Sequence, residues 1–189
     1  VTVISGGNGT GKSTLINIIL GLLPLKSGDY LIDDKTIAIS DYNLSHLIGY
    51  MPQEINLIDS SIANNIAFGE NEEEIDYKSI EEISKNLQFD GLLINRLNDK
   101  NFMVGENGQN LSGGQRQKIV LARALYRDPE ILIMDEPTSA FDEENVEIFY
   151  KLISRLKGNK TFVIITHDDK IKNLSDTNYL INNGNLQNV

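Results

Sequence analysis

Eight residues, Gly6-Gly7-Asn8-Gly9-Thr10-Gly11-Lys12-Ser13, follow directly on the apolar run Val1-Thr2-Val3-Ile4. A glycine, four residues and then Gly-Lys-Ser, set between a strand and a helix, is the spacing of a phosphate-binding P-loop. Glycines let the backbone curl so that successive N–H groups point inward at phosphate oxygens. Lys12 then reaches the β and γ phosphates, and Ser13 offers its hydroxyl to Mg²⁺. Residues Thr14 to Leu20 read as a helix whose positive N-terminal end faces the same anion.

A second cluster, Leu111-Ser112-Gly113-Gly114-Gln115, precedes a basic, helix-forming segment from Arg116 to Arg127 with apolar Ile119, Val120, Ala122 and Leu125. Ser-Gly-Gly ahead of a helix is another anion site, a hydroxyl and free N–H groups at a helix start. Further on, Ile131 to Met134 is a short apolar run of strand type that delivers Asp135 and Glu136 to its C-terminal end. Open α/β sheets place ligand chemistry at that end. One carboxylate there suits Mg²⁺, directly or through water, and the next can polarise a water that attacks a γ phosphate. Thr161 to Thr166 is another buried-strand candidate and ends at His167.

With the P-loop upstream of Leu-Ser-Gly-Gly-Gln and Ile-Leu-Ile-Met-Asp-Glu-Pro-Thr-Ser-Ala-Phe-Asp downstream, the chain resembles the nucleotide-binding domain of ABC (ATP-binding cassette) proteins. The likeness covers nearly all 189 residues, with the motifs in the family's order. It implies an α/β P-loop NTPase with a RecA-like, mostly parallel sheet flanked by helices and an inserted α-helical subdomain. ATP and Mg²⁺ are the implied cofactors. Gly6 to Thr14 match the Walker A loop, so Gly6, Gly7, Asn8, Gly9, Thr10, Gly11, Lys12, Ser13 and Thr14 are the expected ATP contacts. Gln53, in Tyr50-Met51-Pro52-Gln53, matches the Q-loop glutamine that meets Mg²⁺ and the attacking water. Asp135 and Glu136 match Walker B. Asp135 is assigned to the metal with Ser13 and Gln53, and Glu136 to the general base. His167 matches the H-loop histidine at the γ phosphate, whereas His46 is read as structural. Ser139, Ala140, Phe141 and Asp142 match the D-loop that crosses between subunits, with Phe141 where leucine is commoner.

In the family two cassettes pack head to tail, so that Leu111, Ser112, Gly113, Gly114 and Gln115 of one subunit act on ATP held by the other. The expected partner is therefore a second cassette, in a homodimer or a heterodimer. Residues 1–53 and 128–189 are expected to form the RecA-like lobe, and 54–127 the helical subdomain. The acidic run Glu70 to Asp76 is read as a solvated loop leading into a helix.

Composition narrows the partners. Acidic residues number 27 against 17 basic, a net charge of -10, which repels phosphate backbones at long range, and no nucleic-acid partner is expected. The absence of cysteine excludes disulfides and thiolate metal sites. No apolar run approaches the roughly 20 residues needed to span a bilayer, and no signal peptide is expected within these residues.

The resemblance also carries expectations about the whole protein. ABC cassettes carry an antiparallel β region with an adenine-stacking aromatic before Walker A, so the chain is expected to be truncated at its N-terminus, with reduced nucleotide affinity and stability. Tyr30, Tyr42 and Tyr50 follow the P-loop and are not substitutes. Ser61-Ile62-Ala63-Asn64-Asn65-Ile66-Ala67-Phe68-Gly69 and Val104-Gly105-Glu106-Asn107-Gly108-Gln109-Asn110 look like type IV exporter cassettes. In those transporters the latter segment contacts coupling helices of the membrane domain. The expected function is the ATPase end of a half-transporter at the cytoplasmic face of a membrane, with a transmembrane domain fused upstream. A separately encoded importer subunit and a soluble, non-transport ABC ATPase are the alternatives.

Overall fold

The computed structural model describes residues 1–32, 34–37, 44–182 and 184–189; Tyr42 lies outside the described residues. Among these, the main sheet has six strands, β1 (Thr2–Ser5), β4 (Ile48–Met51), β5 (Ile131–Asp135), β6 (Thr161–Ile165), β7 (Thr177–Asn182) and β8 (Asn185–Asn188), in the order β4-β5-β6-β1-β7-β8. β2 (Tyr30–Ile32) and β3 (Lys35–Ile37) form a separate antiparallel pair. β4, β5, β6, β1 and β7 run parallel, and only β8 is antiparallel to its neighbour. Contiguous β-branched and aliphatic residues are what strands buried on both faces require.

Seven helices accompany the sheet among the described residues: α1 (Lys12–Ile19), α2 (Ile62–Ile66), α3 (Tyr77–Asn86), α4 (Gly91–Arg96), α5 (Gly113–Tyr126), α6 (Glu143–Leu156) and α7 (Asp169–Leu174). Successive strand residues point to opposite faces. Ile4, Ile133 and Ile165 therefore pack with Ile16 of α1 on one side. Val3, Leu132, Phe162 and Ile164 pack on the other with Ile119 of α5 and with Phe149 and Ile153 of α6. That second cluster continues without a break into Ile80 and Leu93 of α3 and α4. Segment 54–127 contains α2 to α5 and, among the described residues, no strand of either sheet. α5 lies against α2, α3 and β4, which joins the helical insertion to the sheet.

Helix starts follow side-chain chemistry. Ser61, Asp76, Asp90, Ser112, Asp142 and Asp168 each accept a backbone N–H from the first turn of their helix. Such caps satisfy donors that the helix itself leaves free. α1 differs, because its N-cap is Gly11, which supplies no side chain. Two expectations are revised. α5 begins at Gly113 rather than Arg116, because Ser112 and Gln115 form a capping box that draws both glycines into the first turn. The run Glu70 to Asp76 is more than a solvated loop. Glu70 accepts from Tyr126 Oη at 2.8 Å and lies 3.5 Å from Arg127, while Asp76 caps α3.

Candidate active site

Because β1, β4, β5 and β6 are parallel, the loops leaving their C-terminal ends open on one edge of the sheet. These loops carry the P-loop, Gln53, Asp135 with Glu136, and His167. They enclose a cleft of 570 Å³ lined by Lys12, Ser13, Gln53, Asp135, Glu136 and His167, together with Asn8, Gly9, Gly11, Thr14 and Ser139. Gly6, Gly7 and Thr10 do not line it. A Cβ on Gly6 would sit 2.6 Å from the Ile181 carbonyl oxygen, so only glycine lets the loop leave β1 there. Gly11, at φ 103°, turns the chain into α1 through the left-handed region. Lys12 Nζ donates to the carbonyls of Gly6 at 2.7 Å and Gly7 at 2.8 Å, and Thr10 Oγ1 donates to Gly7 at 2.9 Å. The first-turn N–H groups of α1 and the Lys12 ammonium thereby meet in one anion-binding cradle.

Asp135 is 6% exposed at the end of β5. Burial raises its carboxyl above the ordinary range, opposed by the positive charge of Lys12. Glu136 is also raised, chiefly by burial and further by Asp135, while His167, Lys12 and a hydrogen bond from Thr166 pull it back. A carboxylate so raised is a better proton acceptor than a freely solvated one. Glu136 adopts φ 48°, uncommon for a residue with a Cβ. Its amide donates to the Ile165 carbonyl at 2.9 Å, and its carbonyl accepts from the Ser139 amide at 3.2 Å. The carboxylate Oε1 stands 4.0 Å from His167 Nε2. Behind His167, the Asp168 amide donates to Thr166 Oγ1 at 3.0 Å, and the Tyr150 hydroxyl donates to the Asp168 carboxylate.

The signature residues do not reach this cleft. Ser112, Gly113, Gly114 and Gln115 line a second one of 560 Å³, together with Asp142, Asn145 and Lys118, while Leu111 is buried in the core. Ser112 Oγ accepts from the Gln115 amide at 3.2 Å, and Gln115 in turn donates to Asp90 at 2.8 Å. The D-loop separates the two clefts: Ser139 lines the first, and Ala140 and Asp142 line the second. Phe141 packs its ring 6.5 Å from that of Phe149, an apolar anchor for the loop.

Three contributors escaped the motif pattern. Gln117 is 2% exposed, accepts from the Ala140 amide at 3.0 Å, and donates to Ser139 Oγ at 3.4 Å and the Glu136 carbonyl at 3.5 Å. Its helical spacing was a usable signal, because residues three, four and seven positions on, Val120, Leu121 and Ala124, are all apolar and buried. Tyr150 and Thr166 had no such signal. Tyr30, set aside as an adenine platform, donates its hydroxyl to the Ile18 carbonyl at 2.6 Å.

The two exporter-like segments lie side by side. The Val104 amide donates to the Ser60 carbonyl at 3.0 Å and the Gly105 amide to Asp59 at 3.1 Å. Beside them Asn65, fully buried, exchanges hydrogen bonds with the Ile58 backbone, and Arg123 donates to the Asn65 and Asn56 carbonyls while stacking over Phe68 at 4.9 Å.

A glycine-built anion cradle between a buried strand and a helix, facing a pair of strand-end carboxylates across a parallel sheet, defines a P-loop NTPase domain. The sequence profile of the ABC transporter family matches residues 1–139, and the chain belongs to that family. It is 40% identical over 184 residues to the ATP-dependent lipid A-core flippase 2 of Colwellia psychrerythraea, covering 96% of this chain and 31% of that protein. It is 37% identical over 184 residues to the ATP-dependent lipid A-core flippase of Pseudoalteromonas translucida, again covering 96% and 31%. The fold aligns with a bacterial Atm1-family ABC exporter with ATP bound at a TM-score of 0.85 and 28% identity, over 98% of this chain and 32% of that one. The chain thus spans about 31% of the length of the curated relatives it matches.

Proposed function

We propose that this chain is the ATP-hydrolysing cassette of an exporter, working as a head-to-tail pair in which the cradle of one copy closes on the signature cleft of the other. The observation that carries this reading is the division of labour between the clefts. One holds Lys12, Asp135, Glu136 and His167, and the other holds Ser112 and Gly114. Each presents donors for phosphate, and a single chain keeps them apart on either side of the D-loop.

In this reading Lys12 and the N-terminal amides of α1 hold the β and γ phosphates, and Ser112 and Gly114 of the second copy cover the γ phosphate. Glu136 accepts a proton from the attacking water as its oxygen bonds to the γ phosphorus and the bond to the β–γ bridging oxygen breaks. His167 contacts the transferred group. Ser13, Gln53 and Asp135 offer hard oxygen donors within one cleft, a set that suits Mg²⁺. Among the described residues no cluster of three or more acidic, histidine or cysteine side chains would hold a metal unaided. Mg²⁺ that binds through few carboxylates and substrate phosphates fits that economy. When bound, the ion neutralises charge developing on the phosphates. Positioning and charge stabilisation of this kind are most of what phosphoryl transfer needs.

The exporter assignment draws on the relatives and on the paired segments 61–69 and 104–110, where half-exposed Phe68, with Ile58 and Met103 just ahead of the two segments, offers apolar contacts to a membrane domain. The helical insertion 54–127 would then act as a lobe linking that domain to the signature. No helix among the described residues is long and apolar enough to cross a membrane. In this reading membrane-spanning segments come from a domain fused upstream, which the greater length of the relatives supports, with the cassette at the cytoplasmic face.

The test is hydrolysis by the full-length protein in lipid, with and without Glu136→Gln, alongside fractionation of native cells with an antibody to this domain. Mg²⁺-dependent phosphate release abolished by the substitution, in a membrane-embedded polypeptide far heavier than this chain, supports the reading. Hydrolysis that survives Glu136→Gln removes the base. A cassette-sized band removes the fused exporter.

A further inference from the structure

We infer that Gln117 is a positioning residue that ties the signature end of α5 to the catalytic carboxylate of the same chain, so that closure over one nucleotide sets the geometry at the other. The inference rests on the head-to-tail reading above. In such a pair, Ser112 of a given chain faces its partner's nucleotide while Glu136 of that chain faces its own.

Gln117 is the direct link between them. It sits five residues after Ser112 on α5, about 7.5 Å along the helix. Ser112 caps α5 and Gln117 lies in its second turn, so one helix carries both residues. Both ends of its amide are spent on one short segment. The oxygen accepts from the Ala140 amide at 3.0 Å, and the nitrogen donates to Ser139 Oγ at 3.4 Å and the Glu136 carbonyl at 3.5 Å. That segment runs from Glu136 into the D-loop, which borders both clefts.

The far end of the link is strained. Glu136 holds φ 48°, a conformation that residues with a Cβ keep only where their surroundings impose it. Its amide is fixed by Ile165 of β6, a rigid interior strand. Its carbonyl accepts from the Ser139 amide at 3.2 Å and, at 3.5 Å, from Gln117 of the signature helix α5. A small displacement of α5 therefore acts on the peptide that aims the Glu136 carboxylate, while the sheet holds the other side still.

The experiment uses the full-length protein in lipid and compares the parent with Gln117→Met, which conserves volume and removes every hydrogen bond. We expect kcat to fall on the order of ten- to a hundredfold, the cost of misplacing a catalytic group. KM for ATP stays within about twofold, because the cradle is untouched, and the Hill coefficient for ATP drops toward 1. Combining Gln117→Met with Ser112→Ala produces no further loss of cooperativity. A Gln117→Met protein with parental kcat and Hill coefficient overturns the inference, as does one whose melting temperature falls while both stay parental. If Gln117→Met does not fold, hydrogen–deuterium exchange across residues 136–141 of the folded parent decides. Protection there must rise on adding ATP and fail to rise with Ser112→Ala, and unchanged protection overturns the inference. A parent that neither pairs nor hydrolyses overturns the underlying reading, a result visible without any Gln117 variant.

Discussion

His167 Nε2 lies 4.0 Å from Glu136 Oε1 although the two residues leave different strands of the sheet. β5 and β6 are parallel neighbours in the register Asp135 to Ile165, so their next residues emerge together on one edge. A water placed between the carboxylate and a γ phosphate would then have the imidazole at its side. Glu136→Gln is expected to keep ATP binding and to lower turnover by about 10²- to 10⁴-fold, the usual contribution of a general base. Phosphate release and nucleotide binding, followed in parallel, check it; turnover within twofold of the parent would remove Glu136 from the role.

Ser13→Ala should act on the metal rather than on the fold, because its side chain lines the cleft at the start of α1. The Mg²⁺ concentration for half-maximal hydrolysis is expected to rise by at least the roughly tenfold that loss of even an outer-shell partner costs. A titration with Mg²⁺ at fixed ATP reads this, and an unchanged midpoint would count against Ser13 as a ligand.

Gly49 on β4 has no room for a side chain. A Cβ there would stand 2.1 Å from the Ala124 carbonyl oxygen, 2.8 Å from Pro129 and 2.9 Å from Leu132. α5 and β4 approach each other through this position, and the nearest obstacle is backbone. Gly49→Ala is expected to destabilise the domain by about 3 kcal/mol, the upper part of the range for overpacking. Denaturant unfolding with a midpoint equal to the parent's would contradict it.

Asn65 makes four hydrogen bonds from a fully buried site. Its Oδ1 accepts from the Ile58 amide at 3.0 Å and from Arg123 at 3.1 Å, and its Nδ2 donates to the Ile58 and Ser61 carbonyls at 3.0 Å each. Asn65→Ala leaves these groups unpaired and is expected to cost about 3 kcal/mol. The loss should also loosen segment 56–69, so amide exchange at Ile58 is the sharper measurement, and full protection there would refute the assignment.

The start of α3 is expected to be acid-sensitive. Asp76 is held below the ordinary aspartate value of 3.8, first by the Ser79 amide and then by the Ser79 hydroxyl. A lowered folded-state pKa means that the cap contributes fully above the ordinary value and is lost as pH falls through the lowered one. Carbon NMR of the carboxyl should show Asp76 titrating below the ordinary aspartate value. Asp76→Asn should remove the acid fraying of Lys78 and Ser79, and fraying that persists would assign it to another group.

What the sequence determined by itself was the chemistry that short stretches of backbone can express. The glycines of residues 6–11, the capping pair Ser112 and Gln115, and the contiguous apolar runs at 131–134 and 161–165 each specify a turn, a helix start or a buried strand through interactions a few residues long. The groups that the ABC resemblance nominated could therefore be named one by one, each at the end of an element. Tertiary structure decided which of them share a cleft. Parallel pairing of β4, β5, β6 and β1 brings Gln53, Asp135, Glu136, His167 and Lys12 to one edge and leaves Ser112 and Gly114 in another cleft across the D-loop. It also decided the support: Gln117 under the D-loop, Ile165 on the Glu136 amide and Tyr150 on Asp168 are contacts between residues 18 to 29 positions apart. No local pattern encodes such a contact, because a hydrogen bond across that separation depends on where the intervening chain is packed.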